Sequence, residues 1–316
     1  MRVNRILISG RLAKAFESSL PRMEGKEFRF VTDHHATQQD VDWADSFVAF
    51  SPTSQLDLSG LKWVHSLGAG VDGFVMNSTF PRRALLTRTI ASFGDKIAEY
   101  CLSYILRHAQ HHDYFAAKQA DKQWNPRAPK ALKDINVLIF GTGEIGLKTA
   151  QVLSSFGMHV VGISRSGEER PGFSQVHSSR LFGQANGEFG EVARKAEFVI
   201  VTLPLTRETT GLLDARVFSQ FSDAILMNVG RGAVVVESDM LRALAQGNLS
   251  RCVLDVFPNE PLNEKSPLWQ HPNVIITPHV AAVTDPDGAV ACFLDTLDGV
   301  ERGALLHNKV DLERGY

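Results

Sequence analysis

Val137-Leu138-Ile139-Phe140-Gly141-Thr142-Gly143-Glu144-Ile145-Gly146 reads as a short buried strand, a glycine-broken turn and the first turn of a helix. Four apolar residues, Val137 to Phe140, make the strand, and a helical pattern continues to Ser155 through Ile145, Leu147, Val152 and Leu153. Gly141, Gly143 and Gly146 fit G-x-G-x-x-G, and each glycine has its own reason. The first permits a tight turn, the second lets a pyrophosphate approach the backbone, and the third lets helix and strand pack closely. A helix N-terminus adds N–H groups and a positive dipole end. The strand before and the helix after favour a dinucleotide loop, with Gly141, Gly143, Glu144, Ile145 and Gly146 as cofactor-binding candidates.

Downstream, residues 158–163 form the second strand of the unit, followed by Ser164-Arg165-Ser166. An NAD-preferring site carries an acid at this strand end to grip the ribose 2′-OH. A carboxylate repels a 2′-phosphate, whereas arginine and two hydroxyls hold one. Ser164, Arg165 and Ser166 therefore favour NADP(H), with NAD(H) the alternative. Residues 167–190 read as polar loop plus a short helix. Further strands are expected at 198–201, 224–229, 252–257 and 274–276, with a helix over 239–246 capped by Gly247. They lead into Leu203-Pro204, Val229-Gly230-Arg231-Gly232, Asp255 and Pro278-His279. Ligands of an open α/β sheet sit beyond the carboxyl ends of its strands, so Arg231, Asp255 and His279 converge on one crevice.

Upstream, residues 5–9, 27–31, 45–50 and 63–66 read as strands and 12–20 as a helix, which implies a second parallel sheet. The loop Leu67-Gly68-Ala69-Gly70-Val71-Asp72 offers backbone N–H groups to a small carboxylate, or is an ordinary turn. Residues 96–120 read as one long helix, with His108 and His112 on one face but no acidic partner pattern for a metal. Trp124-Asn125-Pro126 and Pro129 mark a linker.

The 316 residues suit two domains, and 44% hydrophobic with 22% charged residues is a globular composition. A net charge of −2 gives no electrostatic case for nucleic acid or an anionic membrane as partner. No run approaches a transmembrane length, and the N-terminal apolar run is too short for a signal peptide. Three widely spaced cysteines, Cys101, Cys252 and Cys292, match neither a disulfide framework nor a zinc site, which points to a reducing cytoplasm.

Three side chains carry chemistry. Arg231, between two glycines, presents a planar fork to a carboxylate and an adjacent carbonyl. His279 brings an imidazole, a group able to exchange a proton with a carbonyl or hydroxyl oxygen. Glu260, in Pro258-Asn259-Glu260-Pro261, orients that ring and favours its charged form. By residue chemistry alone each also fits a structural role: a surface ion pair, a satisfied histidine, a loop acid.

G-T-G-E-I-G at 141–146, N-V-G-R-G-A at 228–233, L-D-V-F-P-N-E-P-L at 254–262 and S-P-L-W-Q-H-P-N-V-I-I-T-P-H-V-A-A at 266–282 decide between these readings. With them the chain resembles the D-isomer-specific 2-hydroxyacid dehydrogenases over essentially its whole length. Within that family it is most similar to the NADPH-dependent glyoxylate/hydroxypyruvate reductases. The resemblance implies an α/β fold: a Rossmann-type doubly wound sheet, residues 99–283, inserted into a flavodoxin-like substrate domain of residues 1–98 completed by 284–316. It implies reduction of a 2-oxo acid with Arg231 on the substrate carboxylate and carbonyl, His279 as general acid/base and Glu260 as its partner. It further implies that Ala69 and Gly70 supply N–H groups to the carboxylate and that Asp255 lies near the nicotinamide carboxamide. By the same resemblance Leu203, Pro204, Val229 and Gly230 are expected in the cofactor set, and a homodimer is expected through the nucleotide domain with residues 96–120 contributing. Alternatives are another 2-oxo acid (phosphoglycerate-type, ketopantoate or bulkier) or a non-catalytic, corepressor-like dinucleotide sensor.

Overall fold

The computed structural model describes residues 1–32, 36–52, 56–179 and 187–316. They form two compact units, Met1–Phe93 with Thr284–Tyr316, and Gly94–Val283.

The first unit holds strands β1 (Arg5–Ser9), β2 (Glu27–Val31), β3 (Ser46–Ala49), β4 (Trp63–Ser66) and β5 (Leu85–Arg88). They lie parallel in the order β2-β1-β3-β4-β5, the flavodoxin-like arrangement. Every residue of β3 and β4 is buried, as parallel strands covered on both faces must be. Helices α1 (Ala13–Ser19), α2 (Gln38–Trp43) and α3 (Asp72–Val75) follow β1, β2 and β4. Thr37 and Asp40 close a reciprocal capping box at the start of α2. The chain then leaves this unit and returns with α10 (Pro286–Arg302), whose Ala289, Val290, Phe293, Leu297 and Val300 pack on Val3, Ile6, Ile8, Phe16 and Trp63.

The second unit holds helices α4 (Phe93–Ala109, its first residue in the other unit) and α5 (His112–Ala120), then strand β6 (Asn136–Phe140) and helix α6 (Glu144–Ser155). There follow β7 (His159–Ser164), β8 (Gln175–Ser178), α7 (Glu188–Lys195), β9 (Phe198–Val201) and α8 (Ala215–Phe218). β10 (Ala224–Asn228), α9 (Glu237–Gln246), β11 (Leu249–Leu254) and β12 (Val274–Ile276) complete it. Seven parallel strands run β12-β11-β10-β9-β6-β7-β8, so the order reverses between β6 and β9 and makes the switch point of a doubly wound sheet. Ile97, Cys101, Ile105 and Ala109 of α4 share a core with Val137 and Ile139, which is why the boundary falls at Phe93 rather than at residue 98. Residues 102–281 of this unit include the whole seven-stranded sheet. No helix among the described residues is long and apolar enough to cross a membrane.

Three expectations change. The helix over 96–120 is broken between α4 and α5, where His111 takes φ 55°. Returning chain fixes the break: Ala128 O accepts from His111 Nε2 at 3.0 Å, and Lys130 N donates to Ala109 O at 2.9 Å. Strand β8 lies within the stretch read as loop plus short helix, and β5 and α10 were not anticipated. Residues 180–186 of the 167–190 stretch lie outside the described residues.

His65 of β4 is wholly buried beside Trp63 and Phe293, with Nδ1 2.8 Å from Thr87 Oγ1 and Nε2 3.2 Å from Thr89 Oγ1. Burial pushes its pKa down to about 3. The unfolded histidine takes up a proton below about 6.5, while the folded one stays neutral, so this contribution to stability is present above that pH and is lost as pH falls towards 3. Unfolding free energies from denaturant titrations across this window should therefore decline more steeply for wild type than for His65→Gln, the difference approaching about 1.4 kcal/mol per pH unit. Parallel declines would remove His65 as the source.

Candidate active site

Six strands of the second sheet deliver the candidate residues to one edge. Along the sheet they come as His279 after β12, Asp255 after β11, Arg231 after β10, Leu203 and Pro204 after β9, the glycine loop after β6 and Ser164 at the end of β7. Parallel strands put all their carboxyl ends on the same side, so this row follows from topology.

The glycine loop is built to closeness. Gly141 has φ +104°, and a Cβ there would lie 2.8 Å from Thr202 Oγ1. A Cβ on Gly146 would stand 1.9 Å from Gly141 O, so only glycine lets α6 start so near β6. At Gly143 a Cβ would meet nothing within 4 Å, and no side chain caps the helix that starts there. Open space before an uncapped helix N-terminus fits a pyrophosphate, with Glu144 and Ile145 as the first helical residues. At the end of β7, Ser164 Oγ accepts from Gly167 N at 2.9 Å, and Ser178 Oγ donates to Arg165 O at 2.9 Å. These bonds shape the Ser164-Arg165-Ser166 turn. The Arg165 guanidinium lies 3.8 Å from Glu208, and both side chains are exposed, so the pair is loosely held.

Arg231 is positioned by its neighbours. Asn228 Nδ2 donates to Arg231 O at 3.1 Å, and Asn228 Oδ1 accepts from Gly230 N at 3.2 Å. Its flanking glycines serve close packing rather than freedom of the guanidinium, which donates from NH1 to Gly230 O at 2.9 Å. A Cβ at 230 would lie 2.7 Å from Leu203 O, and one at 232 would lie 2.0 Å from the Phe257 carbonyl carbon. Val229 N bonds to Val201 O at 3.1 Å and extends the ladder into the loop.

His279 Nδ1 and Glu260 Oε2 are 2.7 Å apart. Glu260 Oε1 accepts from Phe257 N at 2.9 Å, so the carboxylate is anchored in its own loop. Burial raises the Glu260 pKa, but hydrogen bonds from His279 and Phe257 N–H and the positive charges of His279 and Arg231 outweigh it and hold the carboxyl below its usual range. His279 has φ 54°, left-handed for a residue with a side chain, and half of that side chain is exposed. Asp255, 1% exposed, sits beneath this turn. Its carbonyl accepts from His279 N at 2.9 Å. Its Oδ1 accepts from Thr277 Oγ1 at 2.6 Å and Val280 N at 2.9 Å, and its Oδ2 from Ala281 N at 2.9 Å. Tyr100 OH lies 2.7 Å from Thr277 Oγ1. Neither Thr277 nor Tyr100 was singled out in the sequence: Thr277 stood inside a recognised motif, and Tyr100 is 177 residues away on α4.

Ala69 and Gly70 lie in the first unit, between β4 and α3. There Ser66 Oγ is 3.0 Å from Gly70 O, and Arg88 NH1 donates to Ala69 O at 3.1 Å. His108 and His112 fall on separate helices, and among the described residues no three His, Cys, Asp or Glu side chains gather as a metal site would require.

Residues 102–281 match the family described as D-isomer specific 2-hydroxyacid dehydrogenase, NAD binding domain. A glyoxylate/hydroxypyruvate reductase A of Escherichia fergusonii is 34% identical over 310 residues, covering 96% of this chain and 95% of that protein. The crystal structure of a D-isomer specific 2-hydroxyacid dehydrogenase from Xanthobacter autotrophicus Py2, in complex with NADPH and MES, aligns with TM-score 0.85 and 29% identity over 100% of both chains. An NADPH-dependent glyoxylate/hydroxypyruvate reductase from Sinorhizobium meliloti, crystallised with NADP and sulfate, aligns with TM-score 0.86 and 27% identity over 99% of this chain and 100% of that one. With a matching domain, full-length relatives and both sheets in place, the chain belongs to the D-isomer specific 2-hydroxyacid dehydrogenase family.

Proposed function

We propose that this protein reduces a small 2-oxo acid of the glyoxylate/hydroxypyruvate type to the D-2-hydroxy acid with NADPH. The observation that carries the reading is the 2.7 Å His279–Glu260 pair at the carboxyl edge of a dinucleotide-type sheet, with Arg231 close enough to act on the same carboxylate's charge. The similar reductases support the substrate class. NADPH and NADP in the similar structures, together with Ser164-Arg165-Ser166 where an acid would select NAD, support NADP(H).

When bound, the reduced nicotinamide supplies the hydride. The chain supplies binding, orientation and the proton. Gly141, Gly143, Glu144, Ile145 and Gly146 receive the pyrophosphate; Ser164, Arg165 and Ser166 receive the 2′-phosphate; Leu203, Pro204, Val229 and Gly230 flank the rest of the cofactor. Asp255 keeps one lone pair on Oδ2 for a carboxamide. Arg231 pairs with the substrate carboxylate and orients the carbonyl. Because Glu260 occupies Nδ1 of His279, the proton leaves from Nε2 to the carbonyl oxygen. The ionised Glu260 stabilises the imidazolium before transfer. We also assign it to the cytoplasm as a homodimer. Its three cysteines are free, α5 buries none of its residues, and Trp124 is 99% exposed in a single chain, an apolar surface suited to a second copy.

Two experiments test this. Wild type should show higher kcat/KM with NADPH than with NADH, and Ser164→Asp should move the preference towards NADH; an NADH preference in wild type would overturn the cofactor assignment. In a panel of 2-oxo acids, turnover should fall as pH rises and His279 loses its proton, with hydroxy-acid oxidation showing the opposite limb. Glu260→Gln should move the alkaline limb of reduction to lower pH, and His279→Ala should cost about a hundredfold or more. Arg231→Ala should cost on the order of 3 kcal/mol in kcat/KM while leaving NADPH affinity nearly intact. No turnover of any oxo acid by wild type would leave a dinucleotide-binding protein without this chemistry.

A further inference from the structure

The turn that carries His279 is held from below by one buried carboxylate. Asp255 accepts the N–H groups of Val280 and Ala281 on either oxygen, and these are the two residues after His279. His279 itself stands at φ 54°, a conformation that persists only where its surroundings dictate it. The orientation of the Asp255 carboxylate therefore sets the direction in which the imidazole leaves the backbone.

Two hydroxyls in turn set that carboxylate. Thr277 Oγ1 lies 2.6 Å from Asp255 Oδ1, and a carboxylate only accepts, so the threonine proton points to Asp255. The lone pairs of Thr277 then face Tyr100 OH at 2.7 Å, which donates. Burial pushes the Tyr100 pKa well above its ordinary value, so the phenol stays protonated and stays a donor. The chain runs in one direction, from a helix before the glycine loop to the residue beneath His279.

We infer that Tyr100 and Thr277 are positioning residues for His279, acting through Asp255. Tyr100 fixes the rotor of the Thr277 hydroxyl, Thr277 fixes the Asp255 carboxylate, and the carboxylate fixes the 279–281 backbone. Tyr100 also meets Tyr104, through ring packing with centroids 5.0 Å apart and through a side-chain hydrogen bond; removal of the Tyr100 phenolic oxygen leaves both rings. The inference rests on His279 being the proton donor.

Kinetics of full-length Thr277→Val, Thr277→Ser, Tyr100→Phe and His279→Ala test it. Thr277→Val should lose about tenfold or more in kcat, because displacement of a reacting group by a fraction of an ångström carries a cost of this order. KM for NADPH should change less than kcat, since the glycine loop and the Ser164-Arg165-Ser166 turn are untouched. Tyr100→Phe should lose severalfold in kcat, and Thr277→Ser, which keeps the hydroxyl, should stay near wild type. If Thr277→Val does not fold, Tyr100→Phe against wild type decides the matter, with its melting temperature measured alongside. Wild-type kcat in Thr277→Val and Tyr100→Phe, with His279→Ala inactive, would overturn the inference and leave the reading of His279 standing. A Thr277→Ser variant as slow as Thr277→Val would equally overturn it. An active His279→Ala would overturn both.

Discussion

Nothing larger than a hydrogen atom fits at residue 232. A Cβ there would come within 2.0 Å of the Phe257 carbonyl carbon and 2.4 Å of Pro258 N. The loop after β10 and the loop after β11 thus touch backbone to backbone, and Gly230 makes the same kind of approach to Leu203 after β9. Three successive strand ends are locked together around Arg231. The Phe257 N–H that lies at this contact is also the one that anchors Glu260. A side chain at 232 would push apart the arginine and the acid that supports the histidine, so a packing constraint fixes the relation between charges that never share a strand.

Much of this was legible in the chain. The 141–146 loop was readable because a tight turn and a close approach demand glycine at fixed offsets, and the Gly141 and Gly146 contacts give those demands a physical form. Buried parallel strands such as β6, β9 and β10 announce themselves as apolar runs ended by polar turns. The break at His111 was not readable, because no proline or glycine marks it and its cause is chain returning from residues 128–130. Strand β8 was missed because a short edge strand, Gln175–Ser178, carries only two buried residues. The glycines beside Arg231 were visible, but their reason was tertiary: they meet backbone from other loops, not the arginine's own side chain.

Polar groups in the second unit separate into two kinds. Asp255 is buried and surrounded by donors from its own chain, which suits a residue that must not move. Glu260 and His279 are partly exposed and joined to each other, with Glu260 also held by Phe257 N–H, which suits groups that meet a ligand and exchange a proton. Arg165, by contrast, is exposed and only loosely paired with Glu208.

The first unit is interrupted in sequence, and this sets an order of assembly. As the chain is synthesised, residues 94–283 can close their own core while the first ninety-three still lack a helix. Until α10 emerges, Ile6, Ile8, Phe16 and Trp63 have no Phe293 or Leu297 to cover them. Until α10 is in place, the first unit therefore keeps an open apolar face. In that interval the sheet is exposed to chaperones and to wrong partners, and α10 closes a unit whose β1 was made long before it.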